Sequence, residues 1–273
     1  MNTQINDRVS DGFVRSFARG LKVIEAMGRG SETHTVATIS TATDLPRTVV
    51  RRILMTLVEL GYSWSDGKPY RLTPKVLTLG MTYLTSLPFW GLAQHVLEQL
   101  SAQVKESVAL SVFDGHSSVY VLRIPSREIM SLQLGVGSRV PAYATSPGRV
   151  LLAWQPEDAL QQYLSSTDLR QLTRKTLTDK TKLLATIVQV RETEYSWVDG
   201  EFDTSICGLS VPVRDATGHP VAALSVNLLS GTTTENAALR ELLRPMRAAA
   251  EQLRGMTPQF LSTAKQTARA VAI

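Results

Sequence analysis

Four side chains near the start of one helical segment have the types and spacing to bind a polyanion. They are Arg47, Thr48, Arg51 and Arg52. Arg47 and Arg51 are four residues apart, and so are Thr48 and Arg52. Residues four apart share a helix face, so these donors project together from the first turns. Such a cluster can donate hydrogen bonds to phosphates and base edges in a DNA groove. An amphipathic helix with a solvated basic face is the open alternative.

The other reactive residue types form no recognisable catalytic or metal-binding pattern. The four histidines (His34, His95, His116 and His219) are scattered, and the single cysteine, Cys207, lies in an apolar stretch. A zinc site needs closely spaced His or Cys ligands, and a reactive thiol needs an activating environment. Residues 135–140 also lack the third glycine of a dinucleotide-binding loop. We therefore expect no catalytic residues, no cofactor and no metal, and an enzyme acting on an organic acid is the weaker alternative.

Helices must position the basic cluster. Residues 15–28 carry apolar side chains at helical spacing, and a short helix is predicted around residues 36–41. The basic helix opens at Pro46, because proline is favoured in a first helical turn. Asp44 is expected to accept hydrogen bonds from the free N–H groups of that turn. An apolar stripe along the opposite face must pack on the two preceding helices.

A β-hairpin is predicted directly after the basic helix. Apolar residues alternate on both sides of Asp66-Gly67, a dipeptide typical of hairpin turns. The hairpin would place Lys68 and Arg71 beside the basic helix, where they can contact phosphates. Three helices followed by a hairpin predict an all-α, winged helix-turn-helix domain at the N-terminus.

Charge and composition agree with this division. Of the net charge of +5, residues 1–85 hold 11 Lys and Arg against 7 Asp and Glu, so the remainder is nearly neutral. A basic N-terminal part indicates a polyanion-binding module joined to something else. No apolar run has the roughly 18 residues of a membrane span, and the N-terminus lacks signal-peptide features. With a single cysteine, we expect a cytoplasmic protein with no membrane partner.

The remainder alternates short strands with helices. Hairpins are predicted about Asp114-Gly115 and at residues 215–218, with a further strand over residues 129–134. Helices are expected between and after them, including residues 180–193 and 234–255. Strands with grouped helices predict an α+β domain with an antiparallel sheet.

Several segments together resemble the IclR family of bacterial regulators. They include "RSFARGLKVIEAM", "LPRTVVRRILMTLVELGY", "SVALSVFDGHSSVYVLRIPS", "GSRVPAYATSPGRVLLA" and "ICGLSVPVRDATGHPVAALSVNL". The resemblance spans about residues 14 to 254 and is closest to the PcaR/PcaU/PobR branch, which regulates aromatic-acid and β-ketoadipate catabolism. It implies a winged helix-turn-helix (residues 13–74), a linker helix (75–88) and a GAF-like effector-binding domain (89–255). Residues 256–273 have no acidic residue and little pattern, and are expected to form a loosely ordered tail.

The resemblance also implies an effector pocket. The residues that match its lining are Ser146, Pro147, Gly148, Cys207, Ser225 and Asn227. Ser146 can cap the helix that begins there, and a helix N-terminus attracts a carboxylate. The chain departs from the family pattern at Pro147, where relatives carry Met or Leu, and at Ile206, where an arginine is common. Three basic side chains lie near the matched segments and can pair with an acidic ligand: Arg123, Arg139 and Arg149.

The sequence thus predicts a transcription regulator of aromatic-compound catabolic genes. The implied partners are an inverted repeat in double-stranded promoter DNA, a small aromatic acid or dicarboxylate, and further copies of the chain in a homodimer or tetramer. Regulation of another organic-acid pathway, and an architectural DNA-binding protein without a sensor, are the alternatives. Effector identity and the choice between activation and repression stay open.

Overall fold

The computed structural model describes residues 12–29, 31–80, 90–126 and 134–254, with the Trp90 side chain excepted. The chain divides into two compact units between Ser86 and Leu87. The predicted strand over residues 129–134 and the predicted tail over 256–273 lie almost wholly outside the described residues. No helix in the described ranges is both long and apolar enough to cross a membrane.

The first unit contains three helices and a small hairpin. Its elements are α1 (Arg15–Met27), α2 (Val36–Thr43), α3 (Arg47–Glu59), β1 (Ser63–Ser65) and β2 (Tyr70–Leu72). The two strands pair antiparallel around Asp66-Gly67, and His34 adds a bridge to Tyr70. Apolar side chains from all three helices form the core: Val23, Met27, Ile39, Val50, Leu54 and Leu57. The predicted winged helix-turn-helix order is therefore the observed one.

Two local expectations in this unit are wrong. Asp44 does not cap α3, whose N-terminus has no side-chain cap bond, and Pro46 precedes the helix as its N-cap residue. Asp44 instead ends α2 in the left-handed conformation, with φ at 54°. A side-chain cap is present at the N-terminus of α2. The Thr35 hydroxyl oxygen accepts from the Thr38 N–H, and the Thr38 hydroxyl oxygen accepts from the Thr35 N–H. This reciprocal bonding satisfies two of the free donors at the helix start.

A 3₁₀ turn (Pro74–Val76) follows the hairpin, and residues 77–80 are helical. The rest of the predicted linker helix falls on residues 81–88, outside the described residues. Lys75 connects this turn to the end of α3, because its Nζ donates to the Leu60 carbonyl at 2.8 Å. The same ammonium lies 5.0 Å from the centre of the Tyr62 ring.

The second unit is an α+β domain built on a six-stranded antiparallel sheet. Its elements are α4 (Trp90–Val104), β3 (Ser107–Asp114), β4 (Ser117–Ile124), β5 (Arg139–Pro141), α5 (Ser146–Ala153), α6 (Glu157–Ser166), α7 (Lys180–Thr193), β6 (Ser196–Asp199), β7 (Ile206–Arg214), β8 (Pro220–Leu229) and α8 (Glu235–Arg254). The strand order is β5-β4-β3-β8-β7-β6. Both predicted hairpins, β3–β4 and β7–β8, are present.

The sheet is covered on both faces. One face packs on α4 and α8 through a large apolar cluster that includes Leu97, Leu110, Leu224 and Met246. A second cluster joins α5, α6 and α7, and includes Leu152, Leu160 and Ile187 together with Ala223 of β8. Alternate residues of each strand therefore face two different environments, as the two-residue repeat of a strand requires.

A β-bulge interrupts the pairing of β3 with β4. Leu110 is opposite Leu122, but the next residue of β3, Ser111, is opposite Tyr120, so Val121 has no partner of its own. Such an extra residue reverses the side-chain alternation on one side of the bulge. Tyr120 and Arg123, three apart in sequence, consequently share one face of β4. The core residue Leu122 faces the other way, toward α4 and α8.

Candidate functional site

The basic residues at the start of α3 are exposed, whereas the apolar stripe of the same helix is buried. Val50, Leu54 and Leu57 are buried in the core of the first unit. The four predicted DNA-contacting residues on this helix are all exposed: Arg47, Thr48, Arg51 and Arg52. Among the described residues, no carboxylate forms an ion pair with these arginines. The face is therefore available to a polyanion without first breaking an ion pair.

The hairpin carries the two other predicted phosphate contacts. Lys68 lies next to the turn and Arg71 lies on β2, and both side chains are exposed. The Arg71 guanidinium stacks on Trp64 of β1, 4.4 Å from the ring centre. Because a stacked guanidinium keeps its edge donors free, this contact orients Arg71 without consuming its hydrogen-bonding capacity.

A small cavity lies on the α5 face of the sheet in the second unit. Its volume is about 40 Å³, space for a few water molecules. Four of the six predicted effector residues line it: Ser146, Pro147, Cys207 and Asn227. The side chains that sequence reasoning did not assign to the lining include Tyr120, Val198, Glu201, Phe202 and Asp203. The segments matched by the family resemblance are therefore brought together around one space.

Gly148 and Ser225, the other two predicted residues, do not line this cavity. A Cβ built on Gly148 would lie 2.3 Å from Cα and from the carbonyl oxygen of Ala142. This glycine therefore permits close packing of α5 on the preceding turn, not the approach of a ligand. Ser225 is fully buried, and its hydroxyl donates to the Ala109 carbonyl of β3 at 3.3 Å.

Ser146 does not cap α5 as expected. The helix begins at Ser146 itself, and its N-cap residue is Thr145, without a side-chain cap bond. The Ser146 hydroxyl instead accepts a hydrogen bond from Ser210 Oγ at 2.8 Å. It also lies over Gly208 of β7, where an added Cβ would be 2.8 Å from Ser146 Oγ. Gly208 thus lets the start of α5 approach the sheet closely.

The three arginines near the matched segments have three different roles. Arg139 is half-exposed and pairs with Asp114, away from the cavity lining. Arg149 is buried and pairs with Glu201, with 2.6 Å between Nη2 and Oε2, while its Nε donates to the Tyr143 carbonyl. Arg123 lines the cavity, and its Nε is buried with no hydrogen-bond partner among the described residues. A buried donor without a partner is costly and therefore indicates a missing acceptor.

Tyr120 is a polar residue of the cavity lining that the sequence did not identify. Burial raises the pKa of Tyr120, although nearby Arg123 acts in the opposite direction. The phenol therefore stays protonated at neutral pH and can donate a hydrogen bond. No sequence signal identified this pair, because residues three apart in a regular strand point to opposite faces.

Cys207 belongs to the β7 segment that borders the cavity, but its buried thiol packs in the apolar cluster with α4 and α8. The thiol donates to the Leu229 carbonyl, with 3.7 Å between Sγ and O. Burial, together with the negative charge of Asp199, raises its pKa to about 11. A thiol that is protonated at neutral pH is a poor nucleophile. In addition, the described residues contain no group of three or more His, Cys, Asp or Glu side chains that could hold a metal ion.

Comparisons with known proteins agree with this arrangement. The chain is 41% identical over 242 residues to the Pca regulon regulatory protein of Pseudomonas putida, which covers 88% of this chain and 83% of that protein. A structure from Rhodococcus sp. RHA1, described as that of a transcriptional regulator, matches with a TM-score of 0.77 and 37% identity. That match covers 95% of this chain and 100% of the other.

A third similar protein is a double mutant of the inducer-binding domain of the PobR transcription factor from Acinetobacter, solved with 3-hydroxybenzoic acid. Its TM-score is 0.58 at 29% identity, over 61% of this chain and 98% of that one. Two family models match in succession, "IclR helix-turn-helix domain" over residues 16–62 and "Bacterial transcriptional regulator IclR C-terminal" over residues 81–254. The chain therefore belongs to the IclR family, whose members are DNA-binding transcriptional regulators and not enzymes.

Proposed function

We propose that the protein regulates genes of aromatic-compound catabolism in response to a small aromatic acid or dicarboxylate. The observation that carries the proposal is the cavity of the second unit, which joins apolar walls (Val198, Phe202) to the Arg123 side chain, whose buried Nε has no hydrogen-bond partner among the described residues. A carboxylate attached to a hydrocarbon body complements both features. The named relatives, a Pca regulon regulator and a domain solved with 3-hydroxybenzoic acid, support the same ligand class.

The first unit, assigned to residues 13–74, binds an inverted repeat in promoter DNA. Arg47, Thr48, Arg51 and Arg52 of α3 enter the major groove, and Lys68 and Arg71 contact phosphates beside it. Exposure of all six side chains, together with the buried apolar stripe that holds α3 to the core, supports this assignment. Binding to the chromosome places the protein in the cytoplasm.

The second unit, assigned to residues 89–255, holds the effector, with residues 75–88 as the linker. Ser146, Pro147, Cys207 and Asn227 contribute to the site through their place in the cavity wall. Because the cavity of about 40 Å³ is smaller than an aromatic acid, ligand entry requires the lining segments to move apart. A ligand that binds only the opened state shifts the population toward it, which supplies the response.

The active species is a homodimer, or a tetramer assembled from two such dimers. Three apolar side chains of the first unit support this proposal: Phe17 is 67% exposed, Leu21 is 42% exposed and Leu60 is 52% exposed. All three line one groove together with Val14. A contiguous exposed apolar surface of this kind is typical of an interaction site.

The test combines DNA binding with ligand-induced stabilisation of the full chain. Promoter fragments from the neighbouring genes are titrated, and protocatechuate, 4-hydroxybenzoate, β-ketoadipate and terephthalate are screened by thermal shift. Arg51→Ala should weaken specific binding by roughly 5- to 100-fold while leaving effector stabilisation intact. Loss of both together would contradict the division of roles between the two units, and turnover of any acid would favour the enzyme alternative.

A further inference from the structure

We infer that Arg123 binds the carboxylate of the effector, with the Tyr120 hydroxyl as a second donor beside it. The inference rests on the proposed function, since it names the anchor within the same cavity. It selects Arg123 from the three arginines that were expected near the matched segments, and it adds the phenol of Tyr120 to the expected lining.

The bulge at Val121 is the first step of the argument. Without it, Tyr120 and Arg123 would lie on opposite faces of β4, and one of them would point into the core formed with α4 and α8. The bulge places Leu122 opposite Leu110 and Tyr120 opposite Ser111. As a result, Tyr120 and Arg123 both line the cavity. Bulges are often found next to functional sites, where they redirect a side chain.

The second step is that the nearby cations other than Arg123 are already neutralised. Arg149 donates to Glu201 and to the Tyr143 carbonyl, and Arg139 pairs with Asp114. Arg123 has no ion pair among the described residues, and its Nε is buried without an acceptor. A ligand carboxylate would satisfy this donor and neutralise the charge, and guanidinium groups bind carboxylates with two parallel hydrogen bonds.

The third step concerns the two acidic residues of the lining, which already have partners. Glu201 Oε2 accepts from Arg149 and from the Leu177 N–H, at 2.6 and 2.9 Å. Asp203 Oδ1 accepts from the backbone and the hydroxyl of Ser205, at 2.8 and 2.6 Å, which lowers the pKa of Asp203. Neither carboxylate bonds to Arg123, so the ligand has no intramolecular competitor for that guanidinium within the described residues.

The experiment compares acids with their neutral amides on the full chain by isothermal titration calorimetry. The probes are 4-hydroxybenzoate with 4-hydroxybenzamide, and terephthalate and β-ketoadipate as further acids. Arg123→Gln should weaken the acid that binds wild type most tightly by about 10- to 100-fold, while leaving amide binding within threefold. Tyr120→Phe should weaken it by about fivefold. Arg139→Gln is the matched control, because it removes a guanidinium outside the cavity, and it should bind as wild type does.

The acid affinities of wild type and of the Arg123 variants test the inference as follows. Equal acid affinity of Arg123→Gln and wild type, in a variant that melts within a few degrees of wild type, overturns the inference but leaves the proposed effector class intact. If wild type binds none of the acids, both the proposed effector class and the inference fail. Should Arg123→Gln not fold, Arg123→Met serves instead: it keeps an unbranched side chain without charge or N–H donors, and an undiminished acid affinity would overturn the inference.

Discussion

Arg149 and Glu201 form a buried ion pair across 52 residues of sequence, with 2.6 Å between Nη2 and Oε2. Their side chains are 3% and 13% exposed, respectively. Each group makes a further hydrogen bond, because Arg149 Nε donates to the Tyr143 carbonyl and Glu201 Oε2 accepts from the Leu177 N–H. The pair therefore fixes the start of α5 to the segment that follows β6.

Arg149→Met should destabilise the second unit by about 3–5 kcal/mol, because it leaves the Glu201 carboxylate buried without its cation. Urea unfolding followed by tryptophan fluorescence measures the change. Arg170→Met is the control, since Arg170 pairs with Asp168 on the surface with both side chains more than 70% exposed. The control should unfold as wild type does, and identical midpoints for all three chains would refute the role of the buried pair.

Gly148→Ala should destabilise the same unit, because the new Cβ would lie 2.3 Å from Ala142 backbone atoms. Overpacking of this kind costs about 1–3 kcal/mol or more. Gly91→Ala, in helix α4, has no atom within 4 Å of the added Cβ and should be neutral or slightly stabilising. Differential scanning calorimetry compares the two variants, and a Gly148→Ala melting temperature equal to that of wild type would show that the helix start tolerates displacement.

Asn227 and Ser225 should separate ligand binding from stability. Asn227→Ala removes an amide from the cavity wall and should weaken acid binding by about 5- to 10-fold. Ser225→Ala removes a buried hydrogen bond to the Ala109 carbonyl and should lower stability by about 1 kcal/mol without changing affinity. Calorimetric titration and urea unfolding of both variants give the two readouts. An affinity loss in Ser225→Ala would mean that ligand entry rearranges β8.

The Cys207 thiol should make stability fall at alkaline pH. Its folded pKa is about 11, raised from an ordinary value of 9.0 by burial. The unfolded chain therefore loses the proton first, so this contribution is complete below pH 9 and is lost as the pH rises toward 11. The loss is on the order of 2–3 kcal/mol. The stability of wild type relative to Cys207→Ala should decline between pH 8 and 11, and a constant difference would contradict the shifted pKa.

Local signals in the sequence predicted the elements well. Asp114-Gly115 and residues 215–218 mark observed hairpin turns, and the observed α7, Lys180–Thr193, has the predicted bounds. The N-terminus of α7 is fixed by Asp179, whose carboxylate accepts from the Lys182 N–H. In each case, turn chemistry or a cap lies within a few residues of the boundary, so no long-range contact is needed to locate it.

The cavity was harder to predict because its contacts are distant in sequence. Ser225 and Asn227 share a strand face, yet Ser225 is fully buried and does not line the cavity, whereas Asn227 does. Among the three arginines, only tertiary contacts show that Arg149 is held by Glu201, 52 residues away. Asp44 does not cap α3 because it is the C-terminal cap residue of α2, where its left-handed backbone ends that helix. Sequence spacing cannot report such relationships.

The extra residue in β4 has a consequence for comparing relatives. Two related chains can both retain the tyrosine and the arginine of this strand and still present different side chains to a ligand. A residue inserted in β3 opposite Val121 would restore regular alternation, so that the tyrosine and the arginine would lie on opposite faces of the sheet. Alignment gaps of one position between Leu110 and Ser111 should therefore mark changes of effector preference. We therefore expect strand length, and not only residue identity, to affect which ligands such a cavity accepts.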